Sequence, residues 1–236
     1  MKKIALLTAL IVAVMVTGAC AADLTWQNQL KQIPDMAKVG LGITADQDKA
    51  LDAILTQTCA EAKQVWSSSL SDSEKLTKLG ALNGEFLTSS MDVLTKQQLD
   101  TALSLGAVWL QTHQGVTILK TEVVPCLKMC GLTDAQMTLI DKSIVSHTAG
   151  AASIAADANL TADQKDSALW KLRQATYDAI YAGLQPDQQT AMALILKSSI
   201  SNCKAVKDKL PADLKPKFDT FVKAGFTFAE SKIALK

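Results

Sequence analysis

Apolar residues recur at three- and four-residue steps through most of the chain after residue 43, and polar residues fill the positions between them. This spacing places the apolar side chains on one face of an α-helix. Six such stripes follow one another, and the first comprises Leu51, Ile54, Leu55, Cys59, Ala62 and Trp66. Helices of about 20 residues with short connections favour antiparallel neighbours. The pattern therefore predicts an all-α chain folded as an antiparallel helical bundle.

A short motif precedes each stripe. In its usual form it has Leu or Ile, then Thr or Ser, and then Gln or Glu three residues later. This order is the capping-box signature of a helix start, in which each of the two side chains accepts a hydrogen bond from the other residue's backbone amide. We expect a helix to begin one residue after each cap. The predicted caps are Thr44, Ser71, Thr95, Thr133 and Thr161, and the sixth motif has Gln185 followed by Pro186.

The six motifs form two sets of three. Leu160 follows Leu70 by 90 residues, and Leu132 follows Ile43 by 89. Self-similarity at a fixed period indicates a repeat architecture, so we predict an internal duplication with three capped helices per copy and further helices at the termini. The predicted divisions are a leading segment over 22–42, copy 1 over 43–124, a linker over 125–131, copy 2 over 132–209 and a C-terminal helical segment over 210–236.

The first 21 residues are predicted to be a signal peptide. Lys2 and Lys3 precede an apolar run over 4–16, and small residues follow it, as in an export signal. The run is too short for a spanning helix, which needs roughly 18 uncharged apolar residues or more. We therefore predict a periplasmic protein without a membrane span. A lipoprotein anchored at Cys20 is the alternative interpretation.

Charge limits the partners of the mature chain. Loss of the signal removes two of 24 basic residues against 23 acidic ones, which leaves a net charge of about −1. Near neutrality argues against nucleic acid or an anionic membrane as the main partner. Arg173 is the single arginine of the sequence, so an arginine cluster that clamps phosphate groups cannot form.

Four cysteines remain after export: Cys59, Cys126, Cys130 and Cys203. An even number in an exported chain predicts two disulfides, with three possible connectivities. The expected pairing ties Cys126 and Cys130, near the linker, to Cys59 and Cys203. The alternative is a metal or redox site, but Cys126-x-x-x-Cys130 lacks the C-x-x-C spacing of a thioredoxin-like pair.

Candidate ligands for a metal are few. His113 and His147 are the two histidines, and Met129 lies between Cys126 and Cys130. These residues could form a metal site, or the histidines could be hydrogen-bonded within the bundle; the histidine spacing matches no metal-binding motif. Serine-nucleophile and glycine-rich phosphate motifs are absent from the sequence. We therefore expect neither an enzyme nor a bound cofactor.

The repeated motif resembles the LTxxQ element of the Spy/CpxP superfamily of bacterial periplasmic proteins. The closest forms are Leu132-Thr133-Asp134-Ala135-Gln136 and Leu160-Thr161-Ala162-Asp163-Gln164, and the resemblance covers about residues 43–188. It implies all-helical hairpins, often dimeric, that sense or relieve envelope stress by holding unfolded proteins. It also implies that some relatives bind zinc, copper, nickel or cobalt.

Three functions follow from these observations. The leading expectation is an exported, ATP-independent protein-binding module, a chaperone or adaptor in the stress response, whose partners are unfolded or other envelope proteins. A homodimer is compatible with it. The alternatives are a periplasmic metal-binding or metal-sensing protein and a purely structural interaction module. An exposed apolar groove would favour the first, and a cluster of His, Met and carboxylate groups would favour the second.

Overall fold

The computed structural model describes residues 40–113, 127 and 130–219, without the side chains of 105–113. This part of the chain is all-helical and contains no strand, which confirms the predicted fold class. Its long helices are α1 (Ala45–Ser67), α2 (Asp72–Val93), α3 (Lys96–His113), α4 (Asp134–Ala156), α5 (Ala162–Ala182) and α6 (Pro186–Lys209). The predicted signal peptide and most of the leading segment lie outside the described residues.

Each of these helices begins one residue after its predicted cap. At α1, Thr44 Oγ1 accepts a hydrogen bond from the Gln47 amide at 3.2 Å, and Gln47 Oε1 accepts one from the Thr44 amide at 3.1 Å. The same reciprocal pair forms at Ser71, Thr95, Thr133 and Thr161. Before α6, Gln188 Oε1 accepts from the Gln185 amide at 2.9 Å. Such a cap stabilises a helix by about 0.5–2 kcal/mol.

Consecutive helices meet end to start. Gln47, in the first turn of α1, donates to the carbonyl of Val93 at the end of α2. At the opposite end of this pair, the Lys75 ammonium lies 5.2 Å from the centroid of the Trp66 ring. In α4 and α5, Gln136 donates to the carbonyl of Gly183 at 2.9 Å. These contacts place the first turn of one helix beside the last turn of the next.

Helices α2 and α6 are far apart in sequence and pack very closely. A Cβ atom at Gly80 would lie 2.6 Å from Ser198 Cβ, and one at Gly84 would lie 3.2 Å from Asn202 Cγ. Two glycines on one face of α2 therefore allow α6 to approach. Asn202 Nδ2 also donates to the Gly80 carbonyl at 3.1 Å.

The α2 and α6 contacts advance by four residues on both helices, so the two helices run in the same direction. The expectation of antiparallel neighbours does not cover this pair. That expectation rests on short connections, and it applies only to helices that follow one another in the chain.

Three apolar clusters form the core. The largest joins α4, α5 and α6 to Leu76 of α2 and to Leu127, and the smallest joins Ala62 of α1 to Leu79 of α2. The third joins α2 and α3 to the end of α6 and to Leu214 and Phe218 beyond it. Exposed ion pairs, such as Lys96–Asp213 at 2.7 Å, border the last contact. The two larger clusters each combine residues of the predicted first and second copies.

Candidate functional site

Two glutamine side chains link the starts of α1 and α3. Gln47 Nε2 donates to Gln98 Oε1 at 2.8 Å, and Gln98 Nε2 donates to Gln47 Oε1 at 3.0 Å. Gln47 also donates to Val93, and Gln98 lies 3.3 Å from the carbonyl of Gly42. Both oxygens still accept from their capping residues. The side-chain amide of each glutamine thus closes the capping box of its own helix and also links that helix to another segment of the chain.

Gln136 and Gln188 form the same arrangement at the starts of α4 and α6. Gln136 Nε2 donates to Gln188 Oε1 at 2.7 Å, and Gln188 Nε2 lies 3.3 Å from the carbonyl of Gly131. These residues follow Gln47, Gln98 and Gly42 by 89 or 90 positions. Gly42 and Gly131 have φ angles of 62° and 74°, which glycine adopts readily. The paired amides therefore recur with the period of the motif.

In its second half, the outward side of α4 carries a strip of apolar residues and no charged residue. Val145 is 68 % exposed, and Ala149, Ala152 and Ala156 are exposed at the following helical steps. Residues 143–156 contain no Asp, Glu, Lys or Arg. The matching positions of α1 are Thr56, Ala60, Lys63 and Ser67. This strip can bury apolar surface against another protein. The matching positions of α1 include polar residues, so the start of such a helix does not require apolar residues there.

His147 is 2 % exposed and faces α5. Its Nδ1 atom lies 3.0 Å from Thr176 Oγ1, and that hydroxyl donates to the Leu172 carbonyl at 2.8 Å. Because the hydroxyl proton is used, the bond assigns the proton to His147 Nδ1. This contact agrees with the interpretation of a histidine hydrogen-bonded within the bundle.

The other metal candidates are not described by the structure. The side chain of His113 and the whole of Met129 lie outside the described residues. Among the residues that are described, no three His, Cys, Asp or Glu side chains are grouped so that they could hold a metal ion. The metal alternative therefore gains no supporting geometry.

Two of the cysteines depart from the predicted pairing. Cys59 is disulfide-bonded, but Cys130 and Cys203 are thiols, so the expectation that both join disulfides is wrong for this structure. The two thiols have different surroundings, because Cys130 packs against the α4–α6 cluster and Cys203 against the α2–α3 cluster. A disulfide needs two Cα atoms within about 7 Å. Cys126 lies outside the described residues.

Burial raises the pKa of the Cys130 thiol, and Asp72 adds to the effect. A raised pKa lowers the fraction of thiolate, which is the reactive form of cysteine. Cys130 is therefore expected to be a slow nucleophile near neutral pH, and the structure gives no reason to place redox chemistry there.

No protein-family model, curated protein or solved structure matches the chain. The resemblance to the Spy/CpxP superfamily thus remains an expectation that rests on the repeated motif. None of the described helices combines the length and apolar character needed to cross a membrane.

Proposed function

We propose that this chain is an exported, ATP-independent protein-binding module of the Spy/CpxP type, and that the outward face of α4 is its binding surface. The observation that carries the proposal is the exposed strip of Val145, Ala149, Ala152 and Ala156 on a stretch without charged residues. Larger exposed apolar patches mark interaction sites in soluble proteins.

The chain is, in this proposal, a tandem duplication of a unit built on an antiparallel hairpin. Its support is the recurrence of the capping boxes, the paired glutamines and the positive-φ glycines after 89 or 90 residues. A duplicated scaffold keeps its helix ends fixed while the outward faces of the two copies diverge. The apolar strip then belongs to copy 2 alone.

Small side chains make this face suitable for a helix or an extended apolar segment. Alanine lets a partner backbone come close, and Val145 supplies a larger anchor that is 68 % exposed. Each 100 Å² of apolar surface removed from water would contribute about 2.5 kcal/mol before the costs of association. Because the strip is uncharged, binding should change little with moderate salt.

The test is suppression of client aggregation by the mature protein. We expect near-stoichiometric protein to suppress aggregation of a chemically unfolded client without nucleotide. The double variant Val145→Asp with Ala152→Asp should lose most of this effect, since charge on the strip opposes desolvation. The matched control is Thr56→Asp with Lys63→Asp, which places the same side chains at the corresponding positions of α1.

Two results would reject the proposal. One is unchanged aggregation in the presence of the wild-type protein. The other is equal suppression by both double variants, which would place the binding surface elsewhere. Circular dichroism of each variant checks that the helices are intact before the assay is interpreted.

A further inference from the structure

Cys59 differs from the other described cysteines because it is disulfide-bonded. Cys130 and Cys203 are thiols, and the whole sequence contains five cysteines. The partner of Cys59 in the chain is therefore Cys20 or Cys126, both of which lie outside the described residues. Two separate considerations, the chemistry of export and the connectivity of the chain, distinguish these candidates.

Cys20 is poorly suited to a lasting disulfide in an exported chain. It falls within the predicted signal peptide of 21 residues, which export removes. In the alternative interpretation, a lipoprotein, the sulfur of Cys20 would carry the lipid and could not also pair with another sulfur. This step rests on the proposed export of the chain, and it leaves Cys126 as the partner.

Chain connectivity brings Cys126 toward the same part of the bundle as Cys59. The next residue, Leu127, is fully buried in the cluster that includes Leu76 of α2, and neighbouring Cα atoms are about 3.8 Å apart. Cys59 packs against the cluster that includes Leu79 of α2. These two leucines are three residues apart, which is about 4.5 Å along the helix axis. Both cysteines therefore belong beside one stretch of α2, as a bond between Cα atoms within about 7 Å requires.

Helix α1 has little buried surface of its own to hold it in place. Of its 23 residues only Thr58 and Ala62 are buried, and Cys59 lies between them. Helix α4 buries five residues, and it has Thr148 at the position 89 residues after Cys59. Thr148 is exposed. The cysteine thus occurs in the less buried of two helices that begin alike, where a covalent link contributes most.

We propose that Cys59 and Cys126 form a disulfide within the chain, and that this bond fastens α1 to the bundle. Its formation joins the two sulfurs and removes both thiol hydrogens, while a small-molecule or protein disulfide is reduced to two thiols by exchange. Export to an oxidising compartment provides such an oxidant. The two cysteines are 67 positions apart, and a cross-link that closes a long loop removes much conformational freedom from the unfolded chain.

Peptide mapping identifies the pairing. Protein recovered after export of the full chain is alkylated in denaturant at mildly acidic pH, which limits disulfide exchange, and is then digested without reductant. Trypsin cuts after Lys128 and so separates Cys126 from Cys130. We expect one cross-linked species that joins the peptides of Cys59 and Cys126, with Cys130 and Cys203 alkylated. A species that joins Cys59 to any other cysteine, or an alkylated Cys59, would overturn the assignment.

Amide hydrogen exchange tests what the bond does. Cys130 and Cys203 are already thiols, so reductant should change the bond of Cys59 alone. We expect exchange between Thr58 and Ala62 to become at least about tenfold faster in reduced protein, while α4 keeps its rate. Equal acceleration in α1 and α4, or none in either helix, would contradict the proposed role of the bond.

Serine variants separate the bond from the reductant. The double variant Cys59→Ser with Cys126→Ser should show the fast exchange of α1 without reductant, and reductant should have no further effect on it. The matched control Cys203→Ser removes a thiol that forms no disulfide and should keep the slow exchange of the oxidised wild type. Slow exchange in the double variant, or fast exchange of α1 in the control, would reject the proposal.

These measurements are independent of the test of the proposed function. They contain no unfolded client, so an unchanged aggregation assay leaves the disulfide standing, and a wrong pairing leaves the binding surface of α4 standing. The intact mass of the mapped sample also reports whether residues 1–21 have been removed. A failure of export is therefore distinguishable from a wrong assignment of the cysteines.

Discussion

Helices α1 and α4 begin in the same way and bury different surfaces. Both start at a threonine cap, and both direct a first-turn glutamine to a partner glutamine. Along α4 the buried residues include Ile140, Ile144 and His147, whereas α1 buries only Thr58 and Ala62 among its described residues. The two helices thus begin alike, and they differ in which of the residues between their ends are buried.

The difference indicates which residues hold the scaffold and which are free to change. Hydrogen bonds at the helix ends use backbone groups that every helix exposes, so their geometry does not depend on the side chains in between. The intervening residues determine how deeply a helix is buried and what its outer face presents. Over residues 143–156, α4 presents no charged residue to solvent, whereas α1 faces solvent with Lys63 and Gln64.

Truncation of one core residue in each helix tests this comparison and should give the largest effect. Ile144 is 3 % exposed, and Ile144→Ala should lower the free energy of unfolding by about 2–5 kcal/mol. Leu55 is the matching residue of α1 and is half-buried, so Leu55→Ala should cost roughly half as much because less surface returns to water. Urea denaturation measures both values.

Equal losses in the two variants would show that α1 contributes as much to the core as α4 does. The assumed difference between the two helices would then be wrong. A change in the slope of the denaturation curve must also be checked, since it reports a change in the surface exposed on unfolding.

The helix starts could be predicted from sequence because a capping box spans only four residues. Thr133 and Gln136 carry the whole signal, and the structure places α4 one residue after the cap. The period of the motif also indicated that the same residue types recur. These features are local, and local hydrogen bonding determines them.

The glutamine pairs and the contact of α2 with α6 could not be predicted in this way. Gln47 and Gln98 are 51 residues apart, and Asn202 and Gly80 are 122 apart. One signal for the glutamine pairs was present in the sequence. The first and third motifs of each set of three all end in glutamine, while the second motif of the first set ends in Glu74. A carboxylate can close a capping box, but it cannot donate to a second glutamine.

Replacement of a paired glutamine should have an intermediate effect. In Gln188→Glu the oxygen that accepts from the Gln185 amide is kept, and the donor next to the carbonyls of Cys130 and Gly131 is lost. Because Gln188 is 5 % exposed, the unmade hydrogen bonds should cost about 1–3 kcal/mol. Denaturation at neutral pH measures the loss, and Gln164→Glu at an exposed capping box is the matched control.

Acid should partly restore the Gln188→Glu variant. Burial beside two carbonyl oxygens disfavours the carboxylate, so the pKa of the new side chain should lie above the unfolded value of about 4.3. The protonated form regains a donor, and its stability is present below the unfolded pKa and is lost as pH rises through the folded pKa. A deficit that is independent of pH would contradict the donor argument.

The smallest effect compares the second helix start of each predicted copy. Hydrogen bonds from the Ser71 side chain and backbone lower the pKa of Glu74 in the α2 cap, while the matching Gln164 of α5 does not titrate. A depressed folded pKa gives stability that is present above the unfolded pKa and is lost as pH falls through the folded pKa. Acid should therefore loosen the first turn of α2 before that of α5. Because Glu74 is fully exposed, solvent screens the interaction, and global unfolding should change little.

Amide hydrogen exchange in the first turn of each helix, measured between neutral pH and pH 3, provides the local readout after correction for intrinsic rates. Protection should decrease at α2 and stay constant at α5, and Glu74→Gln should remove the difference. If protection falls equally in both helices, the acid response has another origin, and the two capping boxes are equivalent despite their different residues.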